Sequence, residues 1–258
     1  MEIWQAIVLG AVQGFTEFLP VSSSGHLLLL GRWLGVTENG LLFSVMLHLG
    51  TLIPVVYVFF KEIKALLKKP LDKLWLLVLA TIPAGIVGLT VNHFLELDAL
   101  FNKRAWLLGV AFLLTATELL FAQRISKQNK NPKLLGTKSA LTMGVGQALA
   151  IFPGLSRSGT TLFFGQVAGL DRESTANFTF LMSVPIILSA VFLEGVECIK
   201  TDTFADTYLL STLFGVITSA VTGYLAVKLM LRVIKKANYL WFSVYLFALG
   251  LVTVIGGV

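Results

Sequence analysis

Cysteine, histidine and charge are all scarce in this chain of 258 residues. The single Cys198 excludes an internal disulfide and a cysteine-rich metal site. Charged residues make up 13%, about half the share of an ordinary soluble domain, while 56% are hydrophobic. That balance excludes a solvated globule and points to lipid as the surrounding solvent. The start, Met-Glu-Ile-Trp, has no basic run, and Gln13 and Glu17 interrupt the first apolar segment, so no signal peptide is expected. The net charge of +6 does not imply nucleic acid, because the lysines lie in short runs beside apolar segments.

Six stretches have the roughly 20 apolar residues that cross a bilayer. They fall at about 41–60, 74–95, 105–122, 174–193, 208–227 and 239–258. Two more apolar regions, about 3–34 and 138–170, are broken at Pro20 and at Pro153–Gly154, where polar residues collect. Their halves, at about 12–16 residues, are too short to span, which predicts two re-entrant hairpins with tips covered by protein or by a water-filled cavity.

Those two tips carry the unusual chemistry. The first reads QGFTEFLPVSSSGH from Gln13 to His26, and the second FPGLSRSGTT from Phe152 to Thr161. A shift of 134 positions lays one on the other without a gap, and ten of the thirty positions from Ala6 to Gly35 are then identical. Chance would give roughly two or three, so the chain is an internal duplication. Later segments pair as well, Trp106 with Trp241 and Gly88 with Gly223. The copies differ where reactive groups lie: Glu17 faces Ile151, Ser23 faces Arg157 and His26 faces Thr160.

Lysines and arginines crowd three loops, around 61–73, 124–138 and 228–236, while 96–104 and 198–207 are mixed or acidic. The positive-inside rule puts the basic loops in the cytoplasm and both termini outside. One hairpin then enters from the outer side and the other from the cytoplasm. The expected fold is an all-α integral membrane protein, an inverted-topology repeat of six transmembrane helices plus two re-entrant helical hairpins. Its single domain divides into a first repeat, 1–129, and an inverted second repeat, 130–258. Gly10/Gly14, Gly31/Gly35 and Gly165/Gly169 have the GxxxG spacing of close helix packing.

A carboxylate buried in an apolar segment needs a cation, a metal or a proton, which singles out Glu17. Its pairing with Arg157 is one reading. Gln13, one turn earlier, shares its face and is a candidate metal or water contact. Arg157 is expected near a helix N-terminus, where its guanidinium, free N–H groups and the hydroxyls of Ser156, Ser158, Thr160 and Thr161 suit a phosphate. Ser22, Ser23 and Ser24 open the other short helix in the same way, although helix capping explains any one of them. His26, three residues after Ser23, lies on its face and is placed to activate it. His48 and His93 are expected to be packing histidines, Glu118 and Glu194, near span ends, to snorkel or pair locally, and the sequon at Asn177 to lie within a span.

These motifs resemble those of the bacterial undecaprenyl-diphosphate phosphatases, also called bacitracin-resistance proteins. The first matches their (E/Q)xxxE and SSxGH elements, and the second their PGxSRSxxT. Gln13 stands where many members carry a glutamate, leaving one fewer anionic metal ligand. The resemblance covers essentially the whole chain. It implies an enzyme of the bacterial inner (cytoplasmic) membrane that removes the terminal phosphate of the C55 lipid undecaprenyl diphosphate and regenerates the monophosphate carrier for peptidoglycan. It also implies Mg2+ or Ca2+ dependence, a site opening toward the outer face, and bacitracin resistance on overexpression. Expected partners are the lipid diphosphate, membrane lipids and, as an option, a second copy of the chain.

In the chemistry expected, Ser23 attacks the terminal phosphorus, Glu17 or His26 takes the proton, and Arg157 with Ser156 and Thr161 holds phosphoryl oxygens. His26 as the nucleophile stays open. A phosphatidic-acid-type lipid phosphatase would carry a histidine soon after Ser156–Arg157, and SGTTLFFGQ has none. A polyprenyl-phosphate flippase, alone or combined with phosphatase activity, is the alternative from another class.

Overall fold

The computed structural model describes residues 1–36, 41–94, 100–101, 103–200, 209–236 and 238–256. Among them are eleven helices and no strand. The first hairpin comprises α1 (Ile3–Phe18) and α2 (Ser23–Trp33). It is followed by α3 (Leu41–Val58), α4 (Phe60–Leu66), α5 (Asp72–Phe94) and α6 (Trp106–Gln128). The second half repeats that order: α7 (Thr137–Leu149) and α8 (Arg157–Val167) form a hairpin, then α9 (Arg172–Lys200), α10 (Leu209–Lys236) and α11 (Leu240–Gly256) follow.

Four helices, α5, α6, α9 and α10, are long and apolar enough to cross a membrane, and α3 with α4 makes a fifth if a bent pair counts as one span. The bend between α3 and α4 is 81°. The expected 41–60 segment therefore turns just before the charged run Lys61, Glu62 and Lys64. Helix α11 is apolar but, at 17 residues, shorter than those four. Helices α6, α9 and α10 run past their apolar stretches, to Gln128, Lys200 and Lys236. Hydropathy sees only the apolar part, whereas the backbone hydrogen bonds continue under cations that reach outward. Large side chains such as Trp75 and Ile86 of α5, Leu114 of α6 and Val221 of α10 face outward, as a lipid solvent allows.

Each hairpin is cradled by a long helix of the other half. Along α1, Gly10 lies against the Gly215 carbonyl of α10 and Gly14 against Ser219 and Thr222, so the two run in the same direction. Along α7, Gly144 meets the Ala80 carbonyl of α5 and Ile151 reaches Gly88. A methyl on Gly10 would sit 2.4 Å from that carbonyl oxygen, and on Gly144 2.5 Å, so only glycine permits either approach. In the other two pairs the GxxxG reading fails at the second glycine, whereas Gly165, whose Cβ would sit 2.4 Å from Thr175 Cγ2, does pack closely. Gly35 and Gly169 have φ of +66° and +87° and end their helices in the left-handed conformation. Nothing lies within 4 Å of a Cβ on Gly35, so it serves a turn rather than a packed interface.

The three basic loops lie at one end of the molecule. Leu66, Leu74, Leu135 and Leu170 share one apolar cluster there, and Lys127, Arg172 and Lys235 line one cleft. The acidic segments around Glu96 and Asp98 and around Asp202 and Asp206 lie outside the described residues, as do the side chains of His93 and Cys198.

Candidate active site

Both hairpin tips turn in the interior, and glycine lets them touch. A Cβ on Gly25 would come within 3.0 Å of the Gly154 Cα, and one on Gly159 within 3.3 Å of Pro20. The two contacts are related by the 134-residue shift. Gly154 itself adopts φ +90°, a conformation that disfavours any side chain.

Each short helix starts at a serine cap. The Gly25 N–H donates to Ser22 Oγ at 3.3 Å, and the Gly159 N–H donates to Ser156 Oγ at 3.2 Å. Ser22 is also the single non-glycine residue with positive φ among those described, at +71°. Such a backbone is strained by roughly 1–3 kcal/mol, a feature that clusters at functional sites.

The caps aim the next residue of each helix at the same carboxylate. Ser23 donates from its hydroxyl to Glu17 Oε2 at 2.7 Å, and Arg157 pairs with Glu17 Oε1 across the two tips. Gln13 donates from Nε2 to Glu17 Oε2 at 3.1 Å. Glu17 and Gln13 are buried, and the Arg157 side chain is 14% exposed. The carboxylate thus holds a serine, an arginine and an amide in one cluster, drawn from segments 140 residues apart.

A cavity of about 650 Å3 opens beside this cluster. Glu17, Ser22, Ser23, Ser24, Ser156 and Arg157 line one part of it. Ala84, Gly88 and Leu89 of α5 and Ile186, Phe192 and Leu193 of α9 form an apolar wall. A charged head group and a hydrocarbon tail would each find a matching surface there.

Some expected site residues are committed elsewhere. Thr160 donates to Glu118 Oε2 at 2.7 Å, which is also the partner that carboxylate needs within a span. Thr161 donates back to the Arg157 carbonyl at 2.8 Å, as helical threonines commonly do. Ser158 donates to the Leu19 carbonyl at 3.0 Å and so ties tip to tip. None of the three lines the cavity. His26 makes no hydrogen bond to Ser23. Its Nδ1 lies 2.7 Å from the Ser22 carbonyl and its Nε2 2.6 Å from the Tyr245 hydroxyl. Helical spacing placed the histidine on the serine's face, but both ring nitrogens are used by other partners.

His48, expected to be packing, instead lines the cavity, with Nδ1 2.9 Å from the Ser44 carbonyl. An ionisable side chain within a span is itself a pointer to function, and that signal was present in the sequence.

Among the described residues, no group of three or more histidine, cysteine or acidic side chains is placed to hold a metal. The local chemistry nevertheless fits a cation that brings other ligands with it. Gln13 Oε1 is buried without a hydrogen-bond partner, next to a carboxylate. Mg2+ commonly takes one or two protein oxygens and completes its shell with substrate phosphates and water.

Together, the helical membrane fold and the paired polar tips make a site with a charged end and an apolar wall, chemistry that suits an amphiphile with an anionic head. Residues 6–252 match the family model described as bacitracin resistance protein BacA, and the chain belongs to that family. It is 42% identical to the undecaprenyl-diphosphatase of Carboxydothermus hydrogenoformans over 97% of this chain and 95% of that protein. It is 37% identical to that of Methanobrevibacter smithii over 100% and 99%, and 36% identical to that of Halothermothrix orenii over 99% and 98%.

Proposed function

We propose that this protein is an undecaprenyl-diphosphate phosphatase, which hydrolyses the terminal phosphate of the C55 lipid diphosphate and regenerates the monophosphate carrier. The carrying observation is the convergence of Glu17, Ser23 and Arg157 at a cavity with one polar and one apolar wall. Family membership and the relatives' names support the same reaction.

In the mechanism, Ser23 Oγ attacks the terminal phosphorus while its proton passes to Glu17, the carboxylate already 2.7 Å away. The new bond is Oγ–P, and the bond that breaks joins phosphorus to the bridging oxygen, which leaves with the lipid monophosphate. Water then attacks the phosphoserine, inorganic phosphate departs, and the proton on Glu17 returns to Ser23. Arg157, at the first position of α8, offsets charge on the transferring oxygens. The Ser22 and Ser156 hydroxyls border the same space. His26 holds the Ser22 carbonyl and thereby positions Ser23 at the start of α2. A divalent cation, Mg2+ or Ca2+, would be held by Glu17 and Gln13 Oε1 and would neutralise diphosphate charge.

The placement we propose is the bacterial cytoplasmic membrane, with six spans, two oppositely inserted hairpins and the basic loops inside. Matched contacts of α1 on α10 and α7 on α5 support the inverted repeat. The cavity's apolar wall uses the parts of α5 and α9 away from the basic end, which favours an opening toward the outer face.

Phosphate release from undecaprenyl diphosphate by the purified protein in detergent tests the reading. Release that a chelator suppresses and Ser23→Ala abolishes is expected. Lipid movement between leaflets in vesicles, with no phosphate released in detergent, would establish the flippase instead.

A further inference from the structure

Gln147 is almost wholly buried, and neither its Nε2 nor its Oε1 has a hydrogen-bond partner. It lines the same cavity as Ser23 and Arg157. Its counterpart under the 134-residue shift is Gln13, whose Nε2 is satisfied by Glu17 four residues on. At the matching position the second half has Ile151, so Gln147 has lost the acid its twin bonds. Thr81 on the same wall donates to the Leu77 carbonyl at 2.8 Å, and His48 Nδ1 lies 2.9 Å from the Ser44 carbonyl. A buried amide with both ends unpaired is unfavourable unless something polar enters the cavity to meet it.

Its position suggests what that is. Gly144 of α7 packs on Ala80 and Ile151 on Gly88, which sets Gln147 level with Ala84. There the α5 contribution to the lining changes from Thr81 to Ala84, Gly85, Gly88 and Leu89. Gln147 thus borders the cavity just before the second tip, beside Ala84 at the near end of the apolar wall. A lipid diphosphate with its terminal phosphate between Ser23 and Arg157 carries a second phosphate within the same cavity, where the unpartnered Gln147 amide is a free donor.

We propose that Gln147 anchors a second phosphate subsite, in which Nε2 donates to the phosphate that remains on the lipid after hydrolysis. This rests on the phosphatase reading for the substrate's orientation. The subsite recognises a phosphate monoester of a long-chain alcohol, and so binds the product as well as the substrate. Gln147 is a substrate-positioning residue with no part in proton transfer.

The test compares wild type with Gln147→Met, of similar volume and without polar groups, and with Gln147→Glu, which presents a carboxylate to the phosphate. Two binding probes in detergent separate the subsites: undecaprenyl monophosphate reports the inner phosphate, and inorganic phosphate the terminal one. A hydrogen bond to a charged phosphate corresponds to about a tenfold change or more in affinity. The expected result is therefore about tenfold weaker monophosphate binding in Gln147→Met and weaker still in Gln147→Glu. Inorganic phosphate binding should hold, the melting temperature of Gln147→Met should not fall because an unpaired amide is removed, and KM should rise with kcat changed by less than about threefold. Monophosphate binding within twofold of wild type in Gln147→Met overturns the proposal. So does a fall in melting temperature with affinity retained, or a shift only in the metal concentration that half-activates. If wild type binds the monophosphate through Gln147 yet releases no phosphate from the diphosphate, the phosphatase reading fails and the subsite stands.

Discussion

Replacing Gly25 by alanine adds one methyl group where the two tips meet. Alanine is the better helix former by up to about 1 kcal/mol, so helix propensity alone makes the variant more stable. The structure reverses that sign. The added Cβ would lie 2.6 Å from two atoms of the Phe112 ring and 3.0 Å from the Gly154 Cα. Carbon atoms pack comfortably at about 3.5–4.0 Å. The ring can turn away, but Gly154 is backbone in a left-handed turn and cannot, so the tips must part by about half an ångström. Overpacking of this kind costs about 1–3 kcal/mol, leaving the variant less stable by about 1 kcal/mol after the helix gain. A displacement of about 1 Å in a reacting group costs on the order of a hundredfold in rate. Half of that, applied between Ser23 and Arg157, corresponds to about a tenfold fall in kcat. The assay is phosphate release from undecaprenyl diphosphate, alongside a thermal melt in the same detergent, where a drop of about 2–4 °C is expected. A variant that melts higher and keeps wild-type kcat would show that the tips do not depend on this contact.

Three further perturbations test other links. Glu17→Gln leaves the Arg157 charge unpaired in the interior and should destabilise by about 3 kcal/mol, the low end for buried pairs because the arginine keeps some exposure to the cavity; Glu17→Gln with Arg157→Gln should recover most of that loss in a melt while remaining inactive. Ser22→Gly removes the strain of a positive φ and gives up only a few tenths of a kcal/mol of capping. Its melting temperature should rise, and a fall would mean that the hydroxyl contributes more than the backbone strain costs. Asp171 caps α9 by accepting the Ser174 N–H at 2.8 Å. Partial burial tends to raise its pKa, yet the Ser174 and nearby backbone donors outweigh this and hold it below the ordinary value of 3.8. The cap is therefore fully effective above that pH and fades as pH falls through the lowered value. Asp171→Ala should lose about 1 kcal/mol at neutral pH, with the gap to wild type closing in acid denaturation.

The helical membrane fold and the two broken segments were legible without coordinates, because each rests on local information. A lipid solvent demands long apolar runs with satisfied backbones, and Pro20, Pro153 and Gly154 interrupt such runs wherever the chain then goes. Serine caps and the placement of Arg157 at a helix start were readable for the same reason, since capping depends on neighbours within a turn. Glu17 stood out because an acid in an apolar run demands a partner.

Which partner it takes is a question of three dimensions. Helical spacing put His26 beside Ser23, but the turn at Ser22 swings Ser23 onto Glu17 and leaves His26 to Tyr245. Thr160 and Thr161 share the Arg157 motif yet point away, one to Glu118 and one back along its own helix. Gly35 and Gly169 matched a packing pattern and proved to be helix ends, because spacing does not report the sign of φ. His48 and Gln147 join the cavity only through the packing of α3, α5 and α7 against the tips. Residue type and local periodicity set what each side chain is able to do, while long-range packing between the halves chooses which of them face one another.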